Sequence, residues 1–286
     1  MKLLITGANG MLGHEIQRAF SSDELFLTDI NEMDVSNRRM VLETVRDMPW
    51  KPDYILHLAA ETDLEQCEIN PHKALAVNAI GTAFLTDVAL ALDIPIIYIS
   101  TAGIFLGSDP FYVERSMGDP KNIYGLSKFL GENYVRGHQK HYIFRMSWAM
   151  GGGRDIDKKF VNKVIKQIEK GVETIYGITD IYGSPTYAKD VAHTIKESLM
   201  LKIPYGIYHT AGIGSASRCD VAKAIVDITN AKVNVVPVTA KEFSEMNKDF
   251  PCPRAHNETI ISTKEFPSQM RGWRESLEEY LTEFFV

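Results

Sequence analysis

The 286-residue chain contains only three cysteines, Cys67, Cys219 and Cys252, and no C-x-x-C spacing. That pattern builds neither a disulfide framework nor a zinc ligand set, and Cys252 beside His256 reads as a pair of ordinary loop residues. A basic excess is also lacking: 31 Lys plus Arg against 37 Asp plus Glu leave a net charge of −6. Lys and Arg are scattered, with no basic stripe interleaved with aromatics, which excludes nucleic acid and anionic membrane surfaces as partners. No apolar stretch is read as approaching a membrane span. The N-terminal apolar run is broken by Gly7 and Gly10 too early for a signal sequence. Repeats and low-complexity linkers are absent. The expectation is a soluble protein of a reducing compartment, the cytoplasm.

What remains is a chain with 45% hydrophobic residues, enough for a full core. Lys2-Leu-Leu-Ile-Thr6 reads as a strand running into Gly7-Ala-Asn-Gly10-Met-Leu-Gly13, with His14 to Phe20 continuing as a helix. Strand, glycine turn and helix start form the setting of a dinucleotide fingerprint. In it Gly7 permits the tight turn, Gly10 lets backbone approach a pyrophosphate, and Gly13 lets the helix pack on the strand. The helix start then offers its orphan N–H groups to the phosphates. A second strand, Leu25 to Thr28, ends at Asp29. Its carboxylate can accept from a ribose 2′-OH and repel a 2′-phosphate, which favours NAD, with Arg38 and Arg39 near enough in sequence to accommodate NADP. Asp34-Val35 precedes a helix expected over 36–48. Two readings stand there: a carboxylate and an amide at an adenine edge, or a loop Asp34 beside a Ser36 helix cap.

Residues 52–60 (PDYILHLAA) read as the third strand, ending in small residues where backbone can lie against a cofactor. Pro71 opens a long apolar-periodic helix through Leu92. Asn78 inside it either braces the active-site strand or satisfies neighbouring backbone. Pro95 to Ile99 is a near-continuous apolar strand, as in a parallel sheet covered on both faces. It delivers Ser100-Thr101 at its C-terminal end, where ligands sit in open α/β sheets. A strand over 141–146 completes five βα units. They predict an α/β fold, a Rossmann-type doubly wound parallel sheet. After residue 148 the pattern changes. A dinucleotide-binding domain is expected over 1–148 and a mainly substrate-binding lobe over 149–286, with segments near 175–200 returning to the main sheet. Within that lobe helices are expected over 154–170, 190–201 and 275–285, with a short strand over 175–182. The charges of the last helix are read as a solvated face.

The chemistry centres on Tyr124-Gly-Leu-Ser-Lys128, where Tyr and Lys stand one helical turn apart on one face. An ammonium beside a phenol favours proton release. A Thr101 hydroxyl brought against that phenol can hold a carbonyl oxygen in line for proton delivery. Chance supplies Tyr-x-x-x-Lys in many helices, so its weight comes from the glycine turn upstream.

These segments together resemble the extended short-chain dehydrogenase/reductases, whose glycine turn has this GxxGxxG spacing, and within them the dTDP-4-dehydrorhamnose reductase family. Residues 57–78 (HLAAETDLEQCEINPHKALAVN) and 114–132 (ERSMGDPKNIYGLSKFLGE) carry the likeness most fully. Arg145-Met-Ser-Trp148, Gly183-Ser-Pro-Thr-Tyr187 with Asp190, Tyr208-His-Thr-Ala-Gly212, Pro253-Arg254 and Trp273-Arg-Glu-Ser-Leu277 extend it to the end of the chain. The resemblance implies reduction of the C4 keto group of a nucleotide-activated 6-deoxy sugar, dTDP-4-dehydro-L-rhamnose to dTDP-L-rhamnose, for polysaccharide biosynthesis. It implies Thr101, Tyr124 and Lys128 as catalytic hydroxyl, acid and lysine. It places Gly7, Asn9, Gly10, Met11, Leu12, Asp29, Asp34, Val35, Ala59, Ala60, Thr62, Asn78, Tyr124 and Lys128 along NADPH or NADH. Thr101, Ala102, Trp148 and Arg254 would face the sugar nucleotide, with core filling as the other reading of Trp148. A homodimer is the family-level expectation, and no metal is implied.

Two departures bear on specificity. After Ser-Thr the family usually carries Asp-Tyr-Val-Phe-Asp-Gly, whereas this chain has Ala102-Gly103-Ile104-Phe105-Leu106-Gly107, and Glu61 stands where the family usually has Tyr. A pocket without hydrogen-bonding groups loses discrimination, so the sugar is left open. The Asp-Glu pair that sugar-nucleotide dehydratases need after the Thr is missing. Cys67 and Cys219 fall outside the positions that fucose-forming epimerase/reductases require. An NAD-dependent 4-epimerase and a catalytically silent regulatory or scaffold subunit stand as alternatives.

Overall fold

Six short apolar segments build the central sheet of the computed structural model, which describes residues 1–247, 252–265 and 270–286. They are β1 (Lys2–Thr6), β2 (Glu24–Thr28), β3 (Tyr54–His57), β4 (Ile96–Thr101), β5 (His141–Met146) and β6 (Gly206–His209). The spatial order is β6-β5-β4-β3-β1-β2, and every neighbouring pair is parallel. Side chains alternate across such a sheet. Leu3, Ile5, Leu56, Ile97, Ile99 and Phe144 face one core with Ile16, Val191 and Ile195. Leu4, Ile55, Ile96, Tyr98 and Ile143 face the other with Val41, Leu85, Val88 and Val135. Both faces are therefore covered by helices, as the doubly wound expectation requires. The chain leaves β1 toward β2 on one side and reaches β3 through β6 on the other. The crevice between β1 and β3 is thus the topological switch point, where open α/β sheets bind ligands.

The helical stretch Pro71–Leu92 corrects two expectations. It is not one continuous α-helix: Pro71–Leu75 and Thr82–Leu92 flank a π-helical segment, Ala76–Gly81, centred on Asn78. π-turns of this kind concentrate at functional sites. Within its 22 residues an 18-residue window reaches a mean hydropathy of 1.7, long and apolar enough to cross a membrane, which the sequence reading denied. Here its apolar side packs on the sheet, with Leu85, Val88 and Ala89 buried beside Ile55 and Ile96.

Other boundaries shift for local reasons. The helix expected over 36–48 is Arg38–Arg46, because Asn37 caps it by accepting from Arg39 N and Met40 N, and Ser36 does not cap. The third strand stops at His57 instead of residue 60, and the stretch 58–63 leaves the sheet at the crevice. Past residue 148 the expected long helix divides into Gly153–Ile156 and Phe160–Glu169. Thr174–Ile178 pairs with Asn234–Val238 outside the main sheet, whereas helix Ala188–Met200 packs back onto it and β6 joins its edge. A third core, with Val164, Ile165, Val221, Ile225, Leu277 and Tyr280, lies under this later part. The final helix, Trp273–Phe284, is not simply solvated on its charged side: Glu279 and Glu283 bind Lys189, and Glu279 also binds Arg271.

Candidate active site

The glycine turn sits at the switch point. Gly7 has φ +70, and a Cβ there would stand 2.7 Å from Ala59 N, so only glycine lets β1 turn this close to the end of β3. Helix Met11–Ala19 begins at Gly10 with no side-chain cap, which leaves N–H groups around Met11 and Leu12 open for an anion. Asp29 is fixed at the mouth, its Oδ2 accepting from Asn9 N at 2.9 Å and its Oδ1 from Ile30 N at 2.8 Å. Arg39 is tied to Glu43 at 2.8 Å, and Arg38 lies on the Phe84 ring near Asp87. A close backbone approach and a bare helix end fit a dinucleotide pyrophosphate.

The remaining crevice residues divide. Ala59, Ala60 and Thr62 are half-buried along the stretch that leaves β3. Thr62 accepts the Lys159 ammonium at Oγ1, 3.0 Å, which ties the crevice to the later part of the chain. Asp34 turns inward to accept from Ser36 N and Oγ, and Val35 is buried against Gly81, so the side chains here shape the loop. Asn78 is fully buried. It accepts from Glu61 N at 2.8 Å and donates to Glu61 O and Ser127 Oγ, both at 2.9 Å. Its amide braces the crevice loop against the helix Ile123–Arg136 and has no face left for a cofactor, which corrects its direct assignment to cofactor binding.

That helix, capped by Asn122, carries Tyr124 and Lys128 toward the end of β4. Thr101 Oγ1 accepts from Gly103 N at 3.0 Å, and its own hydrogen is left to face the Tyr124 phenol. Burial pushes the Tyr124 phenol up to about 12, against the Thr101 hydroxyl that pulls it down. Burial lowers the Lys128 ammonium to about 7, against Glu132, and its Nζ lies 4.0 Å from the centre of the Tyr98 ring. The sequence reading had Lys128 drawing the phenol down; here desolvation dominates both groups. Beneath them Glu132 forms a bidentate pair with Arg145 at 2.8 and 2.7 Å, both fully buried. Burial works to raise this carboxyl, but Arg145, together with Ser100 and Arg136, holds it below its ordinary range.

Across from Thr101, Trp148 donates its indole N–H to Glu258 Oε2 at 2.7 Å. Arg218 lies 3.6 Å over the Trp148 ring, and Gly183 packs so closely on it that a Cβ would overlap the indole. Arg254 pairs with Glu65 at 2.7 Å. Ala102 is the clear correction: it is fully buried among Ile104, Phe105 and Ala211 and presents nothing to a substrate. The site residues that sequence reasoning missed are Glu258, Arg218 and Lys159. Each reaches the cleft from a distant segment with no local motif to mark it. Glu132 and Arg145 lay inside stretches already singled out, but only their pairing shows what they do.

A family model described as the RmlD substrate binding domain matches residues 1–286. The chain is 33% identical over 99% of its length to the spore coat polysaccharide biosynthesis protein SpsK of Bacillus subtilis, covering 97% of that protein. It is 30% identical to a dTDP-4-dehydrorhamnose reductase of Mycolicibacterium smegmatis over 97% of this chain and 84% of the relative. Among solved structures, the dTDP-4-dehydrorhamnose reductase of Bacillus anthracis, crystallised with NADP, superposes with a TM-score of 0.89 at 32% identity, covering 99% of both chains. With the glycine turn, Thr101, Tyr124 and Lys128 converging as they do, the chain belongs to the dTDP-4-dehydrorhamnose reductase family of NAD(P)-dependent oxidoreductases.

Proposed function

We propose that this protein reduces the C4 ketone of dTDP-4-dehydro-L-rhamnose to give dTDP-L-rhamnose for polysaccharide synthesis. The observation that carries the reading is the meeting of Thr101, Tyr124 and Lys128 at the C-terminal end of β4, beside the switch-point crevice. Bound reduced nicotinamide supplies the hydride. Thr101, with one lone pair already engaged by Gly103 N, donates its hydrogen to the ketone oxygen. Tyr124, a phenol that burial holds protonated even further above neutral pH, passes its proton to the same oxygen as negative charge develops there. Lys128 stands one helical turn away and favours the phenolate that remains. Hydrogen-bond placement around that single oxygen supplies most of the rate.

The expected division of labour follows the chain: residues 1–148 hold the dinucleotide, and residues 149–286 mainly supply the sugar-nucleotide side through Arg218, Arg254 and Glu258, next to Trp148. Asp29, held by two backbone N–H groups, favours NADH, since a 2′-phosphate would meet its carboxylate while Arg38 and Arg39 are engaged elsewhere. The three free, buried cysteines suit a cytoplasmic enzyme. The test is loss of reduced-nicotinamide absorbance with dTDP-4-dehydro-6-deoxy-L-mannose and either cofactor. Turnover with NADH at roughly tenfold or higher kcat/KM than with NADPH is expected. Inertness with bound cofactor would overturn the substrate, and preference for NADPH would overturn the role given to Asp29.

A further inference from the structure

Glu258 enters the site on a two-residue strand, Asn257–Glu258, that pairs with Tyr182–Gly183. Its Oε2 is held by the Trp148 N–H at 2.7 Å. The indole is itself clamped between Arg218 and Gly183. The other oxygen, Oε1, accepts no hydrogen bond among the described residues, and the residue is half-buried. Oε1 lies 3.6 Å from the point a Cβ on Gly103 would occupy, and Thr101 Oγ1 lies 3.3 Å from that same point. One carboxylate oxygen is thus anchored, and its partner is open on the wall that carries the catalytic hydroxyl. Burial raises this carboxyl above its ordinary range, and the Trp148 hydrogen bond with the nearby charges of Arg218 and Arg254 offsets only part of that.

We propose that Glu258 Oε1 accepts a hydrogen bond from the C3 hydroxyl of the substrate sugar and is a specificity-determining residue of this site. The proposal rests on the reductase reading above. Thr101 and Tyr124 face the C4 oxygen, and in a 4-keto-6-deoxy hexose the carbons flanking C4 carry a hydroxyl at C3 and a methyl at C5. The C3 hydroxyl is therefore the donor within reach of an acceptor beside Thr101. Ala102 and Gly103 bring no polar side chain to this wall, and Glu258 delivers one from the far end of the chain. A site built to pair with a hydroxyl rejects the analogue that lacks it, because its own polar group is then left unpaired.

The test is steady-state oxidation of NADH by wild type, Glu258→Gln and Glu258→Ala, using dTDP-4-dehydro-6-deoxy-L-mannose and its 3-deoxy counterpart. Glu258→Gln keeps an amide oxygen for the Trp148 N–H and so guards against misfolding of the Ala variant. Wild type is expected to favour the hydroxylated sugar by roughly 100-fold in kcat/KM. Both variants should lose most of that preference, through loss on the hydroxylated sugar alone. Equal losses on the two sugars would reduce Glu258 to a prop for Trp148 and overturn the proposal, as would an unchanged preference. A wild type inert with both sugars overturns the reductase reading and this proposal with it, whereas an active wild type whose variants lose equally on both overturns this proposal alone.

Discussion

Tyr124 and Lys128 are displaced in opposite directions by one cause. Burial disfavours whichever form is charged, so it raises the phenol to about 12 and lowers the ammonium to about 7. For a reduction this suits the phenol, which must arrive carrying its proton. Tyr124→Phe is expected to lower kcat by roughly 10²–10⁴-fold while NADH affinity, measured by fluorescence titration, changes little. Near-wild-type turnover would remove Tyr124 from the chemistry. The Lys128 shift also makes stability depend on pH. The unfolded chain holds the proton up to the ordinary 10.5 and the folded one only to about 7, so between these values folding releases a proton and stability rises with pH. The denaturation midpoint of the cofactor-free protein should increase from pH 7 to pH 9, and Lys128→Met should flatten that increase.

At the level of elements, the π-turn is what links the cofactor crevice to the catalytic helix. By widening the helix at Ala76–Gly81 it holds Asn78 where one amide reaches both Glu61 and Ser127. Ser127 in turn donates to Tyr124 O, so the crevice loop and the catalytic turn share one brace. Asn78→Ala leaves the part-buried Glu61 N–H without its acceptor and should cost about 1–3 kcal/mol in chemical denaturation. It should also raise KM for NADH more than it lowers kcat, a split that distinguishes a brace from a catalytic group. Elements were legible in the sequence where apolar periodicity was strong, as in β1, β4 and β5. They were misjudged where a side chain overrode the pattern: Asn37 moved a helix start, and Asn78 sits in a π-turn inside a run that reads as one smooth helix. Propensity cannot register such hydrogen bonds, because their partners lie far away in sequence.

For the whole molecule, the sheet-based part and the later part with its own core are tied together around the site. Lys159 reaches Thr62, Arg254 reaches Glu65, and Ser147 Oγ donates to Glu258 O. Because these ties surround the cleft, a ligand held there should stabilise the protein as one cooperative unit. NADH at about 100 times its Kd is expected to add about 2.7 kcal/mol to unfolding stability in a single transition. Two transitions, with only one moved by NADH, would show instead that the lobes unfold independently.

By itself the sequence determined the doubly wound sheet and the glycine turn at its switch point, and it singled out Thr101, Tyr124 and Lys128 as the proposed catalytic group. Those features depend on local spacing: a period of two across the sheet, three between glycines, four along a helix. Tertiary structure alone decided that Ala102 is sealed in the core, that Asn78 is a brace, and that Glu258 and Arg218 stand in the cleft. These are facts about which distant segments meet, and they rest on packing and desolvation, which no window of neighbouring residues contains. The proposed sugar-facing wall belongs to that second kind: Glu258 lies more than a hundred residues from Thr101 and comes near it only when the chain closes on itself.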